Sequence, residues 1–226
     1  MKENYFDMKL SSNGQLYDGV THIKIRPLLG KDEEFLAESS LKTFDLRLYE
    51  MLADTISGVE FNQLSFGDLT QIMMWHASNS FEDEYVAELV CALCEKTYSQ
   101  SYRLSDLETI YLPDEYEDST VVELENGSNV RVHLLRVKHV IEKLKLAAEN
   151  IPTYLYTIAC TFKMPHDEDI EARTEFLRSL SRKDVMKIRG VQDTFYHGPK
   201  LEQMSECTHC EARMPFSVPF RFKELF

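Results

Sequence analysis

The sequence has no long run of hydrophobic residues and no excess of positive charge. No stretch approaches the roughly 20 apolar residues that span a bilayer, and the start, MKENYFDMKL, lacks the basic and apolar regions of a signal peptide. We therefore expect a cytoplasmic protein without a membrane partner. Against 25 lysines and arginines stand 38 aspartates and glutamates, a formal charge of -13. Such a surface repels a phosphate backbone, so we expect no nucleic-acid partner.

The chain also lacks the short motifs of common catalytic sites. It contains no GxSxG sequence, no phosphate-binding glycine loop and no HExxH. Six histidines are scattered without ligand spacing and receive no predicted role: His22, His76, His133, His139, His166 and His197. The acidic run Asp167, Glu168 and Asp169 is typical of a solvated helix start. The sequence therefore predicts no enzymatic activity and no small-molecule substrate.

Cysteine is scarce, but four of the five cysteines stand in two CxxC pairs, Cys91 with Cys94 and Cys207 with Cys210. An odd number of cysteines without a secretory signal argues against a disulfide framework. Two CxxC turns can aim four thiolates at one point about 2.3 Å from each sulfur, which is the tetrahedral shell that zinc favours. We predict a structural Zn²⁺ site. More than a hundred residues separate the pairs, so the metal would join distant parts of the chain.

Other interpretations of the cysteines stay open at this point. The same four thiolates could hold an iron-sulfur cluster, or could stay without metal. A thioredoxin-type pair should begin a helix in a βαβ unit, whereas a predicted strand follows each pair here. The fifth cysteine, Cys160, lies in the apolar run YLYTIACTF and is predicted to be a small buried hydrophobic residue. His209, inside the second pair, is predicted to be a solvated loop residue.

Hydrophobic periodicity predicts a strand and then helices in the first part of the chain. THIKIRPLL, residues 21–29, alternates isoleucines with Lys24 and Arg26 and ends at Pro27, which is typical of a half-buried strand. Three helical segments follow, with Ile56 closing the second, Ser65 to Asp68 forming a capping box at the third, and Trp75 packing in it: 31–40, 44–56 and 65–78.

The middle of the chain reads as two hairpins. Around the first CxxC pair, apolar residues alternate with polar ones in two strands: Tyr85, Ala87, Leu89, Tyr98, Tyr102 and Leu104. Residues 121–135 form the second hairpin. A two-residue loop would place apolar residues opposite polar ones. A three-residue loop of residues 125–127, with Gly127 in the left-handed conformation, instead pairs Val122 with Val130, and we predict that register.

The last third is predicted to be helical up to a final strand. Helical spacing covers 136–150, 167–180 and 181–188, the last with a Ser181 to Asp184 capping box, while Gly190 and residues 197–199 punctuate the route onward. The terminal strand has an apolar face and two prolines on its other face: Met214, Phe216, Val218, Phe220 and Phe222, against Pro215 and Pro219. Proline at alternate positions predicts an edge strand. We expect its aromatic face beside the first knuckle, with Cys91 close to Cys207.

These elements predict an α+β fold, with helical N-terminal and C-terminal segments around small antiparallel β elements and two CxxC knuckles forming one zinc-ribbon-like site. The predicted division has an N-terminal strand and helical region at 1–83 and a first knuckle and hairpin region at 84–135. A helical region at 136–205 and a second knuckle with the edge strand at 206–226 follow. The last segment is expected to form one compact unit with 84–135.

The order of these blocks resembles a known family. The resemblance lies in IKIRPLLGKDEEFLAES, in the block from FGDLTQIMMWHASNSFEDEY through VAELVCALCEKTYSQSYRLSDLETIYL, in VVELENGSNVRVHL, and in the final CTHC with its apolar strand and last phenylalanine. In this order the sequence is similar to the baseplate proteins of T4-like contractile-tailed bacteriophages, the family of the small hub-assembly protein.

The resemblance implies a non-enzymatic role in building the baseplate hub, either as a hub subunit or as an assembly chaperone. It implies that the partners are other baseplate and tail hub proteins, met in the host cytoplasm during assembly or in the virion tail. Only the two cysteine pairs carry over by position. The alternative hypothesis is a zinc-ribbon module of a transcription or nucleic-acid complex, for which only residues 178–189 are modestly basic.

Overall fold

A computed structural model describes residues 4–40, 43–149, 151–163 and 169–226. His166, Asp167 and Glu168 lie outside these ranges. The described helices are α1 Gly30–Ala37, α2 Phe44–Asp54, α3 Phe66–Ser80, α4 Val137–Ala148, α5 Tyr156–Thr161, α6 Ile170–Ser179 and α7 Arg182–Thr194. The described strands are β1 Phe6–Lys9, β2 His22–Ile25, β3 Ile56–Ser57, β4 Glu84–Val90, β5 Thr97–Arg103, β6 Thr109–Ile110, β7 Ser119–Glu123, β8 Asn129–His133, β9 Phe162–Lys163, β10 Gly198–Pro199, β11 Glu202–Glu206 and β12 Arg213–Ser217.

Within the described residues the strands pair antiparallel in five small sheets: β1-β2-β3, β4-β5, β6-β10, β7-β8-β9 and β11-β12. Helices and small antiparallel sheets together confirm the predicted α+β class. None of the helices described here has the length and apolar character needed to cross a bilayer.

The first hydrophobic core forms where the β1-β2-β3 sheet meets α1, α2 and α3, and we call it the N-terminal core. Leu52, Leu69 and Ile72 are fully buried in it. Leu104 and Phe222 reach the same core from much later in the chain. The N-terminal core is therefore completed by one residue that follows the first cysteine pair and one that follows the second.

The helices predicted for the N-terminal region are confirmed with one correction. Helix α2 ends at Asp54, and Ile56 lies in β3 opposite Ile25, so it does not close the helix as predicted. The Ser65 side chain accepts a hydrogen bond from the amide of Asp68 at the start of α3, as the capping box predicts. Trp75 is partly buried in α3, with its ring 5.9 Å from that of Phe6.

Arg26 departs from the predicted polar face of the second strand. Strand β2 ends at Ile25, so alternation no longer fixes the direction of the next side chain, and Arg26 is only 1% exposed. Its guanidinium donates to both oxygens of Asp32 at 2.7 and 3.1 Å and to Asp54 at 2.8 Å. The two-point contact with a carboxylate offsets the cost of burying the cation.

A second core, which we call the helical core, lies between the β7-β8-β9 sheet and α5, α6 and α7. Its buried residues include Val132, Phe162, Leu177 and Ile188. The predicted apolar run 154–162 divides here into α5 and the first residue of β9. Cys160, predicted to be buried, is only partly buried in α5, and burial raises the pKa of its thiol to about 11.

The hairpin of β7 and β8 confirms the predicted register. Val122 lies opposite Val130, and the amide of Leu124 donates to the carbonyl of Ser128 at 2.9 Å, which closes a three-residue loop. Gly127 has a φ of 79°, in the left-handed region. The inward residues of this hairpin pack in the helical core.

Helix α7 begins as predicted but ends later. Ser181 accepts a hydrogen bond from the amide of Asp184 at 3.1 Å, which is the N-cap half of the predicted capping box. Gly190 does not interrupt the helix, which continues to Thr194. The predicted break at this glycine was wrong, because a single helical glycine only weakens a helix.

A close backbone contact joins the two halves of the chain. A Cβ atom on Gly67, at the start of α3, would overlap the backbone of His197, and one on Gly198 would overlap the backbone of Gly67. Gly198 also has a φ of 108°, a conformation that other residues rarely adopt. The sequence placed no contact here, because the two glycines are 131 residues apart.

Hydrogen bonds around Asp68 surround this contact. The buried Asp68 carboxylate accepts from the Tyr17 hydroxyl at 2.7 Å and the Ser11 hydroxyl at 2.7 Å. Burial acts against ionisation of the carboxyl group, but the nearby His197 ring and these donors lower the pKa of Asp68 to about 2. Ser65 Oγ lies 2.6 Å from Nε2 of His197, so a histidine with no predicted role holds a structural position.

Candidate metal centre

Two short hairpins carry the predicted site residues. Strands β4 and β5 hold the first CxxC turn between them, and β11 and β12 hold the second. Cys91 directly follows β4 and Cys207 directly follows β11, and both are buried. Each second cysteine is nearer the surface, with Cys94 partly buried and Cys210 exposed.

The two turns have nearly the same backbone geometry. The amide of Cys91 donates to the carbonyl five residues later at 3.0 Å, and the amide of Cys207 does the same at 3.0 Å. The residue after each pair is a glutamate in the left-handed region, Glu95 with a φ of 58° and Glu211 with a φ of 59°. In both turns this glutamate amide donates to the carbonyl of the first cysteine, at 2.9 and 2.8 Å. The knuckles are therefore local copies of each other.

The knuckles meet and bring the four sulfurs together. All four ligand atoms lie within 4.8 Å of one another. The Sγ atoms of Cys91 and Cys210 are 3.6 Å apart, and those of Cys94 and Cys207 are 3.7 Å apart. Four sulfurs about 2.3 Å from one zinc ion in a tetrahedron would be about 3.8 Å apart. The residues present therefore fit one tetrahedral metal ion, and a disulfide is absent among them.

The environment favours a thiolate at the first cysteine. The amide of Cys94 donates to Cys91 Sγ at 3.5 Å, and this hydrogen bond lowers the pKa of the Cys91 thiol to about 6 against the opposing effect of burial. At Cys210 the amide of Ala212 acts in the same direction, but desolvation near the other sulfurs and the neighbouring thiols themselves raise the pKa to about 12. The thiols hold back each other's ionisation, which is the repulsion that a bound cation relieves.

The predicted contact between the last strand and the first knuckle is confirmed. Met214 packs with Cys91 and Cys207 in a small cluster at the sulfurs. Farther along, the ring of Phe216 lies 5.2 Å from Tyr102, and the ring of Phe220 lies 5.7 Å from Tyr85. The inner faces of the two hairpins thus pack against each other.

Polar contacts fix the relative position of the hairpins. The hydroxyls of Tyr98 and Ser205 are 2.9 Å apart and buried. His209 is exposed, as predicted, but its Nε2 also lies 3.0 Å from the carbonyl oxygen of Thr97 in the other hairpin. Because an oxygen of this kind only accepts, this ring nitrogen is the donor. The sequence did not reveal this contact.

The final strand is shorter than predicted. Strand β12 ends at Ser217, although the alternation of inward and outward residues continues to Phe222, which enters the N-terminal core. In the described part of the chain β12 pairs only with β11, as expected for an edge strand. Pro215 faces Met204 between two hydrogen-bonded pairs, so its nitrogen points away from β11. An edge tolerates this missing donor.

Strand β11 is the part of the site that the sequence did not predict. Its residues, EQMSE, carry little β propensity and fell in the predicted helical region. The signal that could have found it is the likeness of the two CxxC pairs. The first pair has a strand before it and a strand after it, so a strand before the second pair could have been inferred.

Comparison with known proteins adds the family. A family model described as T4 bacteriophage base plate protein matches residues 3–226. The chain belongs to this family. No match was found among curated proteins or among solved structures. Membership confirms the resemblance that the sequence blocks suggested, and it places this baseplate protein in the phage tail, among other baseplate proteins.

Proposed function

We propose that this baseplate protein is a non-enzymatic component of baseplate hub assembly, acting as a hub subunit or as an assembly chaperone through contacts with other hub proteins. In this proposal it meets these partners in the host cytoplasm and carries a structural Zn²⁺ held by Cys91, Cys94, Cys207 and Cys210. The family match over residues 3–226 supports the baseplate role most, and the convergence of the four sulfurs within 4.8 Å supports the metal site. A metal there would hold two distant hairpins in one rigid unit.

The spacing of the sulfurs favours a single ion over a cluster. Cross-hairpin sulfur distances of 3.6 and 3.7 Å leave room for one metal at the centre. An iron-sulfur cluster places several metal and sulfide atoms between its thiolates, and this would need the cysteines farther apart. A strand, not a helix, follows each cysteine pair: β5 after the first and β12 after the second. This argues against a thioredoxin-type redox pair, which lies at the start of a helix.

One group of side chains resembles a catalytic triad but supports the non-enzymatic proposal. Ser65, Asp68 and His197 lie close together, yet all three are buried and no substrate could reach them. The hydroxyl of Ser65 caps α3, and Nδ1 of His197 lies 2.9 Å from the carbonyl oxygen of Phe195 rather than from a carboxylate. A triad needs the carboxylate at that nitrogen.

Metal content tests the site. Protein purified without chelator should contain about one zinc per chain by mass spectrometry of the metals. Cys91→Ser with Cys207→Ser should lose the metal, while Cys160→Ser should keep it. A wild-type protein that folds stably without metal would remove zinc from the proposal.

Binding to hub proteins tests the role. Each hub protein encoded with this chain would be purified and mixed with it at micromolar concentration, and complexes would be measured by size-exclusion chromatography with light scattering. We expect a stable complex with at least one of them. If none associates, and if the tail assembles normally without the chain, the hub role is wrong.

A further inference from the structure

A cavity opens on the surface between α4, α5 and α7, and we call it the α5-α7 groove. Its volume is about 540 Å³. Two of its lining side chains are large, apolar and exposed: Tyr154 is 79% exposed and Met186 is 51% exposed. Large apolar side chains left exposed at the edge of a concave surface are typical of a place where another molecule packs.

Gly190 lies in the wall of the groove, at a position where the backbone conformation and packing would also accept a larger residue. It is inside α7, its φ is not in the left-handed region, and a Cβ added there would meet nothing within 4 Å. Helical glycine is less favourable than alanine. The absence of a side chain therefore serves the groove, because it lets an incoming group approach the helix backbone closely.

Three polar groups in the groove wall have no hydrogen-bond or ion-pair partner among the described residues. Oγ1 of Thr157 is buried and has no hydrogen-bond partner among the described residues. Two cations, Lys143 and Arg189, line the groove against one carboxylate, Asp193. Across the described ranges no ion pair is recorded for either cation. Two cations lining one groove suit an acidic occupant.

The segment that surrounds the groove also has a positive net charge. Residues 136–189 carry eleven lysines and arginines against eight aspartates and glutamates, whereas the whole chain carries 25 against 38. The groove thus lies in a segment with a positive net charge, in a protein that is acidic as a whole. Electrostatic attraction would steer an acidic segment to this side and repel it from the rest.

We propose that the α5-α7 groove binds an acidic segment of another baseplate protein, which places an apolar side chain over Gly190 and its carboxylates beside Lys143 and Arg189. The partner class rests on the proposed function. A second copy of this chain would also carry acidic segments, and the experiment below distinguishes that occupant from another baseplate protein.

Two sets of variants test the groove, each with a matched control. Gly190→Leu fills the space over α7, and Gly30→Leu makes the same change at a helical glycine whose Cβ direction is equally open. Lys143→Glu reverses a groove charge, and Lys145→Glu reverses an exposed charge two residues away on the same helix, outside the groove. Gly190→Ala is the mildest change, and it should fold at least as stably as the wild type.

The measurement is the affinity of each variant for each purified baseplate protein encoded with the chain, by biolayer interferometry at low and high salt. For the protein that binds the wild type, we expect Gly190→Leu and Lys143→Glu to raise Kd at least tenfold. Gly190→Ala should raise it less, and both controls should stay within twofold. The wild-type affinity should fall as salt rises.

The outcomes separate this inference from the proposed function. If a baseplate protein binds and every groove variant, including Gly190→Ala, binds it like the wild type, the groove inference is wrong and the proposed function stands. Tighter binding by Lys143→Glu, or a dimer of this chain that Gly190→Leu abolishes, would also overturn it. If no baseplate protein binds the wild type, both fail together.

Discussion

At the scale of single residues, the N-terminal core depends on charges that it buries. Arg26 is held by Asp32 inside the core and by Asp54 at its edge. The Asp32 carboxyl is also desolvated, but its bonds with Arg26 and the amide of Leu29 lower its pKa. Buried groups of this kind stabilise the fold only while both partners are present.

We expect Arg26→Met to lower the free energy of unfolding by roughly 3–5 kcal/mol, because it leaves the Asp32 carboxylate buried without a counterion. The control is Lys24→Met, which removes an exposed ion pair with Asp7 and should cost about 0–1 kcal/mol. Urea unfolding followed by circular dichroism measures both. Equal losses in the two variants would contradict this account of Arg26.

A pH dependence follows from His76. Burial, with a smaller contribution from Arg26, lowers the pKa of this histidine to about 3, although Asp32 acts in the opposite direction. The folded protein therefore holds the neutral ring, while the unfolded chain takes up a proton below about pH 6.5. Stability should fall as the pH falls between about 6.5 and 3, by roughly 1.4 kcal/mol per pH unit from this group.

Unfolding midpoints measured across this pH range check the expectation. His76→Gln should flatten the slope, because no proton is then taken up at this position on unfolding. His22→Gln, which makes the same change at an exposed position of β2, is the matched control. An unchanged slope in His76→Gln would show that other groups dominate.

These residues also mark what the sequence could not predict. Arg26 and Asp68 look like ordinary polar residues, and their burial depends on partners that are close only in the fold, such as Asp54 and Tyr17. The four cysteines were different. Their spacing within each pair fixes the local turn, and matching ligand chemistry links the pairs across more than a hundred residues.

At the scale of elements, two helical glycines should respond in opposite ways. Gly67→Ala should lower the free energy of unfolding by about 1–3 kcal/mol, because its Cβ overlaps the backbone of His197 and forces α3 and β10 apart. Gly190→Ala should raise the free energy by up to about 1 kcal/mol, because alanine favours the helix and meets nothing. Thermal unfolding of both variants measures the two effects. If Gly67→Ala unfolds at the wild-type temperature, the backbone contact between Gly67 and His197 adjusts without cost and this explanation is wrong.

Elements with a local signal were predicted and elements without one were missed. The β7-β8 hairpin carries its own register, since only one loop length puts Val122 opposite Val130. Strand β11 has no such signal, and its pairing is set by β12 and the second knuckle. The end of β12 was also missed, because the alternating pattern persists after the chain has left its partner strand.

At the scale of the whole molecule, the predicted division at residues 83, 135 and 205 stays a prediction. Hydrophobic contacts among the described residues gather in the N-terminal core, the helical core and a small cluster at the knuckles. The proposed metal would join the knuckles, and the segment after β12 continues into the N-terminal core through Phe222. Loss of the metal should therefore weaken contacts far from the sulfurs.

Removal of the metal should lower Tm by about 10 °C or more. A cross-link that closes a loop of about 100 residues contributes about 4.7 kcal/mol in the chain-entropy account, and each kcal/mol shifts Tm by about 2–4 °C in a protein of this size. Calorimetry with and without a strong chelator measures the shift, and added zinc should restore it. Limited proteolysis should then cut first within 202–222. If the chelator changed neither the Tm nor the cleavage pattern, the proposed metal link between the knuckles would be contradicted.

The distance between the two knuckles in the sequence also sets an order of events in the cell. Cys91 is synthesised 116 residues before Cys207, which at about 5–20 residues/s is an interval of roughly 6–23 s. During that interval the first turn offers two thiols without the other two. The proposed site can therefore close only after the second knuckle has left the ribosome, long after the first knuckle is able to form its own turn.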